Sequence, residues 1–196
     1  MQIETARVPS PLLVEYAAIP IAFEVTSVLS ARDVADQRFV LTESYFESPY
    51  VKNYDALGDG PLQWARRFDT SQWALLLARA EGRSLGGATV AFGSSQLDML
   101  EGRSDLAVLW DIRVAPDARG QGVGRALFEA AEAWALTRGC RELKVETQNV
   151  NVPACRFYAA LECQLRVVRA EAYPACPGES QYLWYKTLRD SVVETG

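Results

Sequence analysis

The stretch "LAVLWDIRVAPDARGQGVGRALFEAAEAWALTRGCRELKVET", residues 106 to 147, limits the fold more than any other part of the chain. An apolar strand candidate, "LAVLWDIRV", gives way at three alternating glycines to a segment in which Val123, Leu127, Ala130, Ala131 and Trp134 recur at helical spacing. Gly139 stands where a helix running from Gln121 to Arg138 would end, and "RELKVET" (141–147) then alternates as a strand. Strand, helix and strand in that order make one β-α-β crossover, whose two strands lie parallel in a sheet.

The flanking sequence is of another kind. "QWALLLARAEGRSLGGATVAF" (72–92) is two apolar runs around Glu81-Gly82-Arg83-Ser84 and predicts an antiparallel hairpin. "QLRVVRAEAY" and "QYLWYKTL" read as two closing strands. "NVNVPACRFYAAL" (149–161) has an Asn to cap and a Pro for the first turn, and predicts a short helix. Upstream, residues 1–20, with Pro9, Pro11 and Pro20, read as an irregular lead-in, and "AFEVTSVLSA" (22–31) as a first strand. The aromatic-rich 37–55 is open between helix and loop, 58–69 starts with turn residues and enters a short helix at Pro61, and 93–105 reads as loop. The expectation is a single mixed α/β domain over 1–196, with a motif-bearing core at about 72–188.

Gly120, Gly122 and Gly124, between Arg119 and Arg125, open the central helix. Glycines there let backbone N–H groups approach an anion at the positive end of the helix, and phosphate is the usual one. A Walker A loop is excluded, because nothing supplies its Lys and hydroxyl. The spacing is G-x-G-x-G where a dinucleotide fold needs G-x-G-x-x-G, and only about fifty residues follow the crossover strand, too few for further parallel units. A plain tight turn with solvated arginines is the bland alternative.

Arg119-Gly120-Gln121-Gly122-Val123-Gly124 matches the pattern [RQ]-x-x-G-x-[GA], and "NVNVPACRFY" supplies N-x-x-A-x-x-[FL]-Y through Asn151, Ala154, Phe157 and Tyr158. In both elements the chain resembles the Gcn5-related N-acetyltransferases (GNAT). "FEVTSVL", "ESPYVKNYD", "WDIRV", "ETQNVNVPACRFY" and the late "YLWYKTL" make it most similar to their streptothricin acetyltransferase subgroup. The resemblance implies a twisted, mostly antiparallel sheet of about six or seven strands with helices on both faces, in which the strands of "LAVLWDIRV" and "RELKVET" splay apart around coenzyme A. It implies acetyl transfer from acetyl-CoA, with no metal, to a small-molecule amine, in that subgroup the β-lysine amine of an antibiotic. The backbone of Ile112, Arg113 and Val114, the run Arg119 to Arg125 and Asn151 would then hold the cofactor, and Tyr158 would protonate the leaving sulfur. The chain departs from the family pattern at Glu162-Cys163, where Gly-Phe is usual, and in "AEAYPACPGES" (170–180).

A lysine-like amine has a pKa of about 10.4 and must lose a proton before it attacks a thioester. The chain has no histidine, so the base has to be a carboxylate, an ordered water or an unusual group. Asp111 is the first candidate, because it interrupts an apolar strand beside the backbone that should hold the acetyl group; a structural pairing with a neighbouring Arg is the rival. Glu146 is the reserve, and Glu47 and Trp110 are candidates for contact with a cationic acceptor. Thr147 and Gln148 are candidates to line the cofactor slot, while Trp64, Trp73, Trp134 and Trp184 are read as core.

A net charge of -5 argues against a general nucleic-acid binder. No apolar run approaches a membrane span, and no leader pattern opens the sequence. Cys140, Cys155, Cys163 and Cys176 lack metal-ligand spacing and read as reduced thiols, which points to the cytoplasm. A homodimer is compatible with these features without being required by them. Two other classes stay open: an acetyltransferase of protein N-termini or lysines, and a non-catalytic acyl-CoA-binding module.

Overall fold

The computed structural model describes residues 1–35, 38–57 and 60–189. Its main sheet has seven strands: β1 (Gln2–Arg7), β4 (Ala74–Ala80), β5 (Arg83–Ala91), β6 (Leu106–Val114), β7 (Glu142–Gln148), β9 (Gln181–Thr187) and β8 (Gln164–Arg169), in that spatial order. Every neighbouring pair is antiparallel except β6 and β7, which are parallel and joined by helix α3 (Val123–Leu136). The single crossover and the hairpin thus lie where the sequence puts them. Glu81 and Gly82 both have positive φ, 52° and 75°, the backbone of the two-residue turn that suits the twist of a hairpin.

Alternation along β4 assigns the two faces of the sheet. Leu76 and Ala78 pack under α3 and α4 (Val152–Ala160), with Leu127, Phe128, Ala131 and Tyr158. Leu75 and Leu77 face a second cluster built from Tyr16 on α1 (Leu12–Ala17), Trp64 on α2 (Trp64–Arg67) and Trp73. β2 (Phe23–Ala35) and β3 (Arg38–Lys52) form a separate two-stranded arm. The Tyr182 hydroxyl ties this arm to the main body by donating to the Leu29 carbonyl at 2.7 Å, and the Leu29 N–H donates to Asn149 O at 3.0 Å.

Three sequence expectations change here. The lead-in 1–20 is not irregular: residues 2–7 are an edge strand and 12–17 a short helix. An edge strand buries little, so Ile3 and Ala6, both half-buried, gave almost no apolar pattern to read. The undecided 37–55 is mostly strand β3, whose aromatic residues lie largely exposed on the arm; residue 37 lies outside the described residues, as do 58 and 59 at the start of the segment read as a turn. Within the expected loop 93–105, Asp98–Leu100 make one 3-10 turn.

At Glu162, where the sequence departs from the family pattern it resembles, φ is +62°. Glu162 follows the last turn of α4 and the Cys163 N–H reaches back to Tyr158 O at 3.0 Å, a left-handed stop that glycine adopts more cheaply. The side chain of Glu162 meets Lys186 at 3.0 Å, and Cys163 sits buried in the core beside it. Among the described residues no helix is long and apolar enough to cross a membrane.

Candidate active site

The β6–β7 ladder begins at Leu106 and Glu142 and stops at Leu109 and Val145, although β6 runs on to Val114 and β7 to Gln148. The cause is visible one strand away. Between the pairs Val90↔Leu109 and Thr89↔Asp111, β5 advances one residue while β6 advances two, so Trp110 is an extra residue in β6. Such a bulge bends its strand and increases the local twist. Past it β6 follows β5, β7 follows β9, and a gap opens between them.

The bulge also changes which side chains share a face. Val108 and Trp110 pack in the cluster of α1 and α2, and Leu109 packs under α3. After the extra residue, Asp111 and Arg113 join the α1 face, and Ile112 and Val114 turn towards α3. The Ala115 N–H donates to Leu85 O at 2.9 Å, and hydrogen bonding alternates along an antiparallel pair. Arg113 therefore pairs with β5, while Ile112 and Val114 direct their backbone N–H groups away from it, into the gap.

A cavity of about 400 Å³ occupies the gap. Trp110 to Arg113 form one wall and Val145 to Gln148 the other, with Asn151, Ala154 and Tyr158 of the α4 segment and Tyr54, Asp55 and Trp64 completing the lining. Its charged lining is three carboxylates, Asp55, Asp111 and Glu146, against one guanidinium, Arg113, so the slot is net negative.

After β6 and the 3-10 turn Pro116–Ala118 comes the glycine turn. Gly120 and Gly122 have φ of +73° and +82°, and an added Cβ on either would meet no protein atom within 4 Å. Their glycine character thus answers to backbone conformation and to the space in front of them, not to internal packing. Gly122 is the N-cap of α3 and offers no side-chain cap, so the first-turn N–H groups stay available to an anion. Gly124 differs, because its φ is not positive and a Cβ there would touch Phe157 at an ordinary 3.5 Å. Arg119 braces the turn by donating to Val114 O and Ala22 O, both at 3.2 Å, and Arg125 lies 3.7 Å from Glu129 on the exposed helix face. Gln121 donates to Asp117 O at 2.7 Å.

Tyr158 is buried and lines the cavity, and among the described residues its hydroxyl has no hydrogen-bond partner. Burial, then the neighbouring Cys163 and Asp111, push its pKa well above the ordinary tyrosine value, so it stays protonated. Asn151 caps α4 by accepting the Ala154 N–H at 3.2 Å.

Asp111 is held more tightly than its candidacy as base requires. Arg113 Nε and Nη2 donate to its two oxygens at 3.0 and 3.1 Å, and the Tyr16 hydroxyl donates to Oδ1 as well. The same guanidinium reaches Asp55 at 2.9 Å and Ile19 O at 3.2 Å, with its side chain only 2% exposed. Burial alone would lower the Arg113 pKa, but Asp111 and Asp55 outweigh it and the net shift is upward. The structure thus supplies the pairing with a neighbouring Arg that the rival reading of Asp111 expects, while Asp111 still lines the cavity. Glu47 is exposed on the β3 arm and does not line this cavity.

Glu146 is placed differently from Asp111. Its oxygens accept from the Tyr173 hydroxyl at 2.6 Å and from Gln181 Nε2 at 2.7 Å, both neutral donors. Trp110 lines the slot while packing edge-on against Phe68, with centroids 5.4 Å apart. Thr147 accepts from Trp184 Nε1 at 2.9 Å, and Gln148 takes the Tyr54 hydroxyl. Tyr16, Tyr54, Asp55 and Tyr173 were not singled out from the sequence. For the Arg113 side chain a signal existed, since residues two apart on a strand share a face, and Asp111 and Arg113 are such a pair.

The acetyltransferase (GNAT) family matches residues 38–162 of this chain. The chain belongs to the GNAT acetyltransferase family. It is an acetyl-CoA-dependent N-acetyltransferase. It is 28% identical over 165 residues to the streptothricin acetyltransferase of Streptomyces lavendulae, covering 83% of this chain and 82% of that one. To streptothricin acetyltransferase A of Bacillus subtilis (strain 168) it is 30% identical over 146 residues, covering 74% and 77%. A Bacillus anthracis str. Ames protein solved in complex with acetyl coenzyme A shares the fold, with a TM-score of 0.75 at 20% identity over 95% of this chain and 99% of that one. Among the described residues the chain has a helix N-terminus without a side-chain cap behind two left-handed glycines, and a strand gap beside a tyrosine hydroxyl that has no hydrogen-bond partner.

Proposed function

We propose that residues 1–196 form one catalytic domain that acetylates a primary amine of a small cationic molecule, of the streptothricin kind, by direct attack in a ternary complex. One observation carries the reading: the parallel ladder stops at Leu109 and Val145 and leaves a net-negative slot between two continuing strands. The named streptothricin acetyltransferases among its relatives support the acceptor class.

Acetyl-CoA brings an activated thioester. Residues Arg119 to Arg125 would bind its diphosphate through backbone N–H groups, and the Asn151 segment would flank the pantetheine arm. Glu146 holds the acceptor amine as an ammonium and takes its proton, because its charge, unlike that of Asp111, has no cationic partner among the described residues. The N–H groups of Ile112 and Val114 donate to the carbonyl oxygen as negative charge builds on it. Tyr158, kept protonated by burial, delivers a proton to the departing sulfur. Asp111, Arg113 and Asp55 fix the far wall, and Trp110 presents an aromatic face to the cation.

The deciding experiment measures thiol release from acetyl-CoA over streptothricins, aminoglycosides, polyamines and peptides. Turnover confined to small cationic amines is the expected result. Preference for a peptide N-terminus or lysine, or binding of acetyl-CoA with no turnover on any amine, would overturn it.

A further inference from the structure

Glu146 stands at the end of a chain of hydrogen bonds drawn from three separate segments. The Tyr54 hydroxyl, on the 3-10 turn Tyr54–Leu57, donates to Gln148 Oε1; Gln148 Nε2 donates to the Tyr173 hydroxyl at 3.2 Å; and Tyr173 donates to Glu146 Oε1 at 2.6 Å. The direction of the chain follows from its last member. An ionised carboxylate only accepts, so Tyr173 must commit its single proton to Glu146. Gln148 must then turn its amide nitrogen to Tyr173 and its oxygen to Tyr54. Reversing any link would leave two acceptors facing each other. Burial, then the charge of Glu146, raise the Tyr173 pKa well above the ordinary value, so the donor is not lost at working pH.

Tyr173 lies in the 170–180 segment, where the sequence departs from the family pattern, and that segment is anchored independently of the slot. Lys52, at the end of β3, pairs with Glu179, both side chains about one-tenth exposed, and Ser180 N–H donates to Asn149 Oδ1 at 2.9 Å. The loop therefore holds the Tyr173 hydroxyl in a fixed place against β7.

We propose that Tyr173 is a positioning residue for the acceptor: it aims the Glu146 carboxylate into the slot, so that the 170–180 loop decides how well an amine is held for attack. The proposal rests on Glu146 as the amine's partner. A neutral chain is what allows this role, since a cation in place of Tyr173 would cancel the charge that the ammonium needs.

The test is a double-mutant cycle of Tyr173→Phe and Glu146→Gln, read by steady-state kinetics with streptothricin as acceptor. Tyr173→Phe should lower kcat/KM for the amine on the order of tenfold, the lower range for a hydrogen bond to a charged group, with the KM for acetyl-CoA changed less than about twofold and the melting temperature nearly kept. In the Glu146→Gln background the same change should add less than about twofold. An equal loss in both backgrounds, or a loss confined to acetyl-CoA binding, overturns the positioning role while Glu146 keeps its own. Full activity in Glu146→Gln alone instead removes Glu146 from the chemistry, and Tyr173 with it. Should Tyr173→Phe fold poorly, Tyr54→Phe interrupts the chain one link earlier and must show the same selective loss on the amine side.

Discussion

Replacing one glycine at each end of α3 separates backbone strain from cofactor binding. Gly122 and Gly139 have φ of +82° and +74°, and an added Cβ on either meets nothing within 4 Å. Alanine at each therefore incurs the same kind of penalty, the cost of a left-handed backbone with a Cβ, roughly 1–2 kcal/mol. For a chain of this size that corresponds to a fall of about 2–8 °C in melting temperature. Of the two, only Gly122 belongs to the turn that the proposed function assigns to the diphosphate. If its alanine variant displaces even one N–H from a charged oxygen, about 1.5–3 kcal/mol of binding goes with it, on the order of tenfold or more in Kd. Calorimetric titration with acetyl-CoA and thermal melts on Gly122→Ala and Gly139→Ala give both quantities. The expected pattern is equal destabilisation with weakened binding in Gly122→Ala alone. Equal affinity in the two variants would refute the assignment of the turn to the phosphates. Gly124→Ala serves as a third arm, expected to be near neutral in both readouts because its Cβ makes an ordinary contact with Phe157.

Other outcomes follow from the same geometry. Tyr158→Phe should lower kcat tenfold or more, about the lower end of acid catalysis, with little change in the KM for acetyl-CoA; an unchanged kcat would remove its role. Because the Tyr158 pKa is raised, its proton is retained to higher pH than an ordinary tyrosine's, so it should cause no alkaline fall in kcat below pH 10, a point that a pH–rate profile checks. Arg113→Met leaves the nearly buried Asp111 without its cation and should cost about 3–5 kcal/mol in urea unfolding, whereas less than about 1 kcal/mol would show the pair to be dispensable. Burial pushes the thiols of Cys140 and Cys155 up to about 11 and that of Cys163 to about 12, while Cys176 is half-buried. A thiol reagent at pH 8 should thus label only Cys176 quickly in the folded protein; rapid labelling of three or four would contradict the burial.

The parts of this protein that could be read from its residues are those whose cause is local. The glycine turn, α3 and the Gly139 stop depend on backbone angles and on a period of burial that neighbours in sequence already express, as does the β4–β5 hairpin with its two-residue turn. β1 escaped notice for the opposite reason: its partner is β4, seventy-odd positions away, and it buries too little to leave a pattern of its own. Tyr158, Glu146 and Asp111, which line the cavity, could likewise be singled out from the sequence, but not how hydrogen-bond partners are divided among them.

That division was decided by tertiary structure. Trp110 becomes a bulge only through its register against β5, and this one extra residue ends the parallel ladder and sets Asp111 beside Arg113 and Tyr16. Glu146 meets Tyr173 because the 170–180 loop is pinned to β3 by Lys52 and Glu179, a contact between parts of the chain with no sequence proximity. The sequence by itself determined which segments form strands and helices in the crossover and where left-handed glycines open α3, since φ preference and periodicity are properties of adjacent residues. Which carboxylate is neutralised and which is left facing the slot depends on distant partners brought within hydrogen-bond reach, and only the folded chain supplies those.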